Sequence, residues 1–193
     1  MAWDTARTKR LLLDAAVDEF AEHGPEGARV ARIATRAGIN KERIYTYFGN
    51  KEKLFAAVLE SELAKVAAAV PLTDEQAADL ADYAGRIFDY HHGNPHFARL
   101  LAWEGLLYEG RVAAEPERAT HYAAKIAAVT RAQQAGALTD EIGAGELMRA
   151  VIALTVSWFT LPQLAPLLTP AATESAPTAQ RDLLVTLIRH LTT

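Results

Sequence analysis

The 193-residue chain has no cysteine. Disulfides, thiolate metal ligands, iron–sulfur clusters and cysteine nucleophiles are therefore excluded, and the absence suits a reducing compartment. No apolar run approaches the roughly 20 residues needed to cross a bilayer. The first ten residues are polar and mixed in charge, unlike a signal peptide. Period-two alternation of apolar and polar residues is also missing, so no strand is expected. No His-Glu-x-x-His or Gly-x-Ser-x-Gly motif occurs. Gly143-Ala-Gly145 lacks both the third glycine and the preceding strand of a dinucleotide loop. Nothing here signals an enzyme, and no cofactor is called for. What is present is a chain with 50% apolar and 23% charged residues, a balance that supports a real core. The expectation is a soluble cytoplasmic protein of one domain or two small ones, with no membrane partner.

The formal charge of −4 hides an asymmetry. Residues 28–53 hold seven basic side chains (Arg29, Arg32, Arg36, Lys41, Arg43, Lys51, Lys53) against Glu42 and Glu52, a net of +5. From residue 56 onward ten basic face sixteen acidic residues, a net of −6. A compact basic segment ahead of an acidic body reads either as a phosphate-binding module or as a chance cluster on a solvated face.

Apolar residues recur at helical spacing almost throughout. Leu12, Leu13, Ala16, Val17 and Phe20 form one stripe that ends near Gly24-Pro25. Helices are expected over residues 29–37, from just after Asn40, and over 51–70. Thr73 and Gln76 are spaced as a capping box for a helix reaching about residue 91. Asn94-Pro95 reads as cap and first residue of a helix over 95–110. Further helices are expected over 116–134, 145–161 and 177–191. Four prolines between 162 and 177 make that stretch a broken, loop-like connection. The fold class is all-α, with about nine helices and no internal repeat.

The segment from Val30 to Phe48 carries the chemistry. Val30, Ile33, Ala34 and Ala37 give a short helix one small apolar face, Gly38 supplies a left-handed cap and a sharp turn, and Asn40 caps the next helix. Ile39 points back as a plug, and Ile44 and Phe48 anchor the second helix. The pattern is a helix-turn-helix whose second helix is free to enter a DNA major groove.

These residues, with Phe20 and Gly24 before them and Ile44-Tyr45-x-Tyr47-Phe48-Gly49-Asn50-Lys51-Glu52-x-Leu54 after, resemble the TetR family of transcriptional regulators. Arg29 and Glu42 depart from the residues common there. The resemblance implies an N-terminal three-helix DNA-binding domain (1–50), a connecting helix (51–70) and a C-terminal helical bundle (71–193) that binds an effector and dimerises. The implied function is a ligand-responsive repressor on a palindromic double-stranded operator, released by a small, largely apolar molecule. Two other classes stay open: a helical interaction module that has lost operator binding, and an enzyme.

Lys41 and Arg43 suit base-edge readout, since either can donate to guanine O6 and N7. Thr46 could meet a thymine methyl or a phosphate. Glu42 either accepts from cytosine N4 or forms a solvated ion pair with a neighbour, the second being favoured. Tyr45 and Tyr47 can reach phosphate through their hydroxyls or simply pack half-buried. Lys51 opens a helix whose N-terminus favours a phosphate, and Arg29 is assigned a phosphate contact. Arg32 and Arg36 are expected to face solvent.

In the C-terminal half the bulky residues are Tyr83, Phe88, Phe97, Trp103, Tyr108, Tyr122, Trp158 and Phe159. The candidate effector pocket is Tyr83, Phe88, Trp103, Leu107, Tyr122 and Trp158, with ordinary bundle core as the alternative for each. His91, His92, His96 and Asp89 invite a metal, but Gly93-Asn94-Pro95 breaks the helix between them, so none is assigned. A single recognition helix offers few base contacts, so a homodimer is expected. Its interface would lie on the helices over 145–161 and 177–191, the latter rich in Leu183, Leu184, Leu187, Ile188 and Leu191.

Overall fold

The computed structural model describes residues 2–107, 112–168 and 176–193, with the side chains of 2–4 set aside. Among them every regular element is helical. In order these are α1 (Ala2–Gly27), α2 (Val30–Ala37), α3 (Lys41–Phe48), α4 (Lys51–Ala69), a 3₁₀ turn (Gln76–Ala78), α5 (Leu80–Gly93), α6 (Pro95–Leu106), α7 (Glu115–Gln134), α8 (Ala144–Thr160), α9 (Leu164–Leu168) and α10 (Pro177–Thr192). No helix among the described residues is long and apolar enough to cross a membrane.

The all-α expectation holds, and three details differ. The Thr73–Gln76 capping box forms, with Thr73 N–H donating to Gln76 Oε1 at 3.1 Å and Gln76 N–H to Thr73 Oγ1 at 3.3 Å. It caps only the 3₁₀ turn. The following helix starts afresh at Leu80, where Asp79 Oδ1 accepts from Asp82 N–H at 2.9 Å. The proline-rich connection contains a short helical piece, α9, whose first turn holds Pro166, a place where a missing N–H costs no intrahelical bond. The helix expected over 95–110 ends at Leu106, with Leu107 in a turn, and Tyr108 lies outside the described residues.

Two compact units emerge, and they are not consecutive in sequence. The first joins Met1–Lys65 to His96–Glu115; the second joins Val66–Pro95 to Pro116–Thr193. In the first, Leu12, Ala16, Phe20, Ile33, Ile44, Leu54 and Val58 form the core, and Leu100 of α6 is completely buried among them. The chain turns out of α1 at Gly24, whose φ of 65° and ψ of 171° break the helical run. The second unit is built on Leu80, Ala84, Phe88, Val129, Leu147, Val151, Leu184 and Ile188, contributed by α5, α7, α8 and α10.

That second core encloses a titratable group. His91 is 2% exposed and stacks on Phe159 with ring centroids 5.2 Å apart. Burial pushes its imidazole down to about 4 from the ordinary 6.5. Between those values the unfolded chain binds the extra proton and the native chain does not. The stability contributed by neutral His91 is therefore complete above about pH 6.5 and is lost as pH falls toward 4, a loss of about 3 kcal/mol over the full span. Urea midpoints for wild type and His91→Phe at pH 7 and pH 4.5 test this. The wild type should lose more stability than the variant on acidification, and parallel losses would contradict the assignment.

Candidate nucleic-acid interface

A buried carboxylate on α1 sets the position of α2. Glu19 is 2% exposed, and its Oε1 accepts from the Arg29 backbone N–H at 2.8 Å, at the open N-terminus of α2. Arg32 clasps the same carboxylate through Nε at 2.8 and 3.0 Å and donates from Nη2 to the Gly27 carbonyl at 3.3 Å. Burial pulls the Glu19 carboxyl up, but the Arg32 bonds and the Arg29 N–H outweigh it and hold it below the ordinary carboxylate range. One turn further along α2, Arg36 Nη1 reaches Asp18 at 3.1 Å. Arg32 and Arg36 thus stay exposed as expected, yet each is tied to an acid on α1. The basic side chains of the segment outside these two pairs are Arg29, Lys41, Arg43, Lys51 and Lys53.

The turn follows from Gly38 and Asn40. Gly38 adopts φ 65°, ψ 29°, and the Ile39 N–H donates back to the Ala34 carbonyl at 3.0 Å. Asn40 Oδ1 accepts from the Glu42 N–H at 3.2 Å and so caps α3. Ile44, wholly buried, pins α3 to the core, while Ile39 and Phe48 pack half-buried beside it.

This leaves Lys41, Glu42, Arg43, Tyr45 and Thr46 exposed on α3, with Tyr47 half-buried. Arg43 Nη1 donates to Tyr47 Oη at 3.1 Å, and its guanidinium lies 5.9 Å from the ring centroid. Thr46 bonds its hydroxyl to the Glu42 carbonyl within the helix at 2.9 Å, leaving its methyl group available for contact. Glu42 is corrected on one point: its carboxylate makes no ion pair among the described residues, so the favoured pairing with a neighbour is not formed. Arg29 makes no side-chain bond among the described residues and remains available. Lys51 is more constrained than its expected phosphate role required, because its ammonium already donates to the Glu26 and Ala28 carbonyls at 2.9 and 3.3 Å.

Sequence reasoning missed Lys9. Its Nζ sits 5.8 Å from the Tyr47 ring centroid, adding a cation from α1 to the ring that Arg43 also approaches. The only hint was the polar, partly basic start of α1 (Arg7, Lys9, Arg10).

Comparison with known proteins decides what this helix-turn-helix belongs to. Residues 12–58 match the family model described as "Bacterial regulatory proteins, tetR family", and residues 79–190 match "Tetracyclin repressor-like, C-terminal domain". The chain belongs to the TetR family of transcriptional regulators. It is 42% identical to the HTH-type transcriptional repressor SCO4008 of Streptomyces coelicolor over 168 residues, which are 86% of each chain. It also resembles the crystal structure of a transcriptional regulator, SCO4942, from Streptomyces coelicolor. That match has a TM-score of 0.83 and 34% identity, covering 96% of this chain and 98% of that one. The fold is shared with the Bacillus subtilis regulator FadR in complex with stearoyl-CoA, at a TM-score of 0.72 and 19% identity over 93% and 96% of the chains. The family is thus one of DNA-binding regulators, with a repressor among the relatives that match over most of their length.

The residues expected to line an effector pocket fall in both units. Trp103 and Leu107 belong to the first unit, whereas Tyr83, Phe88, Tyr122 and Trp158 belong to the second. Trp103 packs its ring on Gly24 and donates from Nε1 to the Ala21 carbonyl at 3.4 Å. Leu107 is exposed. Phe88 is core, edge-on to Trp158 with centroids 6.4 Å apart. Tyr83 is also core, but its hydroxyl accepts from Lys125 at 2.7 Å. The histidines considered for a metal each have other surroundings. His91 is in the second core, His96 Nε2 meets Glu62 at 3.0 Å in the first unit, and Asp89 is held by Arg181 at 2.9 Å. No three His, Cys, Asp or Glu side chains among the described residues could hold a metal ion.

Proposed function

We propose that this regulator acts in the cytoplasm as a homodimeric repressor. Each α3 enters a major groove of a palindromic operator, and a small, largely apolar effector releases the DNA. The observation that carries this reading is the exposed face of α3, where Lys41, Arg43, Tyr45 and Thr46 stand clear of the core while Ile44 fixes the helix beneath them. Arg29, Tyr47, Lys51 and Glu42 complete the DNA-facing set. Such side chains supply both phosphate contacts and donors for base edges.

Dimerisation is supported by leucines that the second unit leaves uncovered. Leu154 of α8 and Leu183 and Leu187 of α10 are between 41% and 48% exposed, although Leu184 and Ile188 already satisfy the core. A second copy of these two helices would bury that surface as a four-helix bundle. Light scattering at micromolar concentration should give twice the 21.0 kDa chain mass, and Leu187→Glu should shift it toward the monomer. A monomeric wild type would refute the dimer.

Release needs an effector that binds the non-operator geometry more tightly, since equal affinity for two states shifts nothing. The aromatic and aliphatic side chains of the second unit, Tyr83, Phe88, Tyr122 and Trp158 among them, are the proposed lining, and α4 links them covalently to α3. Operator titration in the presence of a ligand tests this. Weakened operator binding is expected, and a bound ligand without that effect would remove that ligand as an effector.

A further inference from the structure

A cluster on α5 and α7 of the second unit has many hydrogen-bond donors and few acceptors. Tyr83, 1% exposed, accepts from Lys125 Nζ at 2.7 Å. Lys125 Nζ and Arg86 Cζ both lie near the tyrosine ring, 5.2 and 5.5 Å from its centroid. Arg86 Nε donates to Asp82 at 2.9 Å and Nη1 to the Pro71 carbonyl at 2.8 Å, but Nη2 is shielded from solvent and has no acceptor. Of the two cations only Arg86 has a carboxylate partner. Lys125 is half-buried and has no carboxylate within ion-pair distance among the described residues. Nor can Tyr83 serve as its counter-ion. Burial, reinforced by Tyr122, pushes the phenol up to about 12, so it is neutral at pH 7. Desolvation, and then the Arg86 charge, draw Lys125 below the ordinary lysine range, effects that a neighbouring anion would reverse.

We propose that Lys125 and Arg86, beside Tyr83, receive the carboxylate of the effector, which is therefore a small organic acid with an apolar body. One cation left without a counter-charge matches a monoanion, and the Arg86 Nη2 and Lys125 Nζ hydrogens supply the donors a carboxylate accepts. Tyr122, one turn before Lys125 on α7 and 37% exposed, offers its ring to the apolar part. This inference rests on the effector-release reading above and narrows the chemistry of the ligand.

The test compares acids with their amides by calorimetry: 2-naphthoate against 2-naphthamide, and octanoate against octanamide, with inorganic phosphate as a bare-anion arm. At least one acid should bind 10-fold or more tightly than its amide and than phosphate. Lys125→Met should abolish that preference and Lys125→Arg should retain it, with fold checked by the thermal transition in circular dichroism. Arg86→Gln gives a second route if Lys125→Met does not fold. Equal binding of acid and amide, no binding of either acid up to millimolar concentration, phosphate binding as well as the acids, or an unchanged preference in a folded Lys125→Met would each overturn the proposal. Operator titration of the wild type is read separately. Selective acid binding without loss of operator affinity would refute effector release and leave the carboxylate site standing.

Discussion

Gly24→Ala should be among the most damaging single substitutions in the first unit. The φ of 65° and ψ of 171° at Gly24 fall in a region that is essentially glycine-only. A Cβ there would also stand 2.9 Å from two ring atoms of Trp103, and that ring is held by its bond to the Ala21 carbonyl. Backbone strain of about 1–3 kcal/mol and overpacking of similar size add to an expected loss of about 2–6 kcal/mol. Denaturant unfolding of the single and double variants separates the two. With Trp103→Ala as background the clash is gone, and only the strain should remain. Wild-type stability for Gly24→Ala would show that the turn out of α1 is not fixed in this way.

Arg43→Ala should cost about 1–3 kcal/mol of operator affinity, concentrated on the base pair its guanidinium reads. The side chain is exposed and lies over Tyr47, so removing it empties no core. Lys51→Ala should act differently. It removes a positive charge beside the N-terminus of α4 together with two bonds to carbonyls at the end of α1, and should weaken all DNA sequences alike. Anisotropy titrations against an operator and its single-base variants distinguish the two patterns. An unaltered base preference in Arg43→Ala would move readout to another residue, Lys41 being next on the same helix.

The DNA-reading unit was legible in sequence because its signals are local. Gly38 demands a left-handed turn, Asn40 caps α3, and Ile33, Ala34 and Ile44 mark the buried faces within a span of twelve residues. The partners of these elements were not legible. Periodicity shows that α6 has an apolar face, but not that Leu100 and Trp103 turn it toward the core of α1–α4. The same limit applies to charge. Counting gave the basic segment, but Arg32 and Arg36 are engaged by Glu19 and Asp18 across an interhelical gap that spacing does not reveal. Lys9 reaches Tyr47 from more than thirty residues away. The capping box at Thr73 forms its hydrogen-bonded pair but does not open α5, which starts at Leu80. The box motif is only four residues long and says nothing of whether the helix continues. In the C-terminal half, aromatic content pointed to a pocket without separating core from lining. Lys125 and Arg86 were invisible as a pair because thirty-nine residues separate them.

In the function proposed above, two copies of α3, paired by dimerisation, read an inverted repeat. The most direct measurement is capture of genomic DNA fragments on the purified full-length protein at moderate salt, followed by sequencing. Strong enrichment is expected of a few fragments sharing an inverted repeat, its half-sites spaced for recognition helices about one or more helical turns apart. Recovery of fragments with no common sequence would contradict it and favour a helical interaction module that has kept the helix-turn-helix shape without the readout.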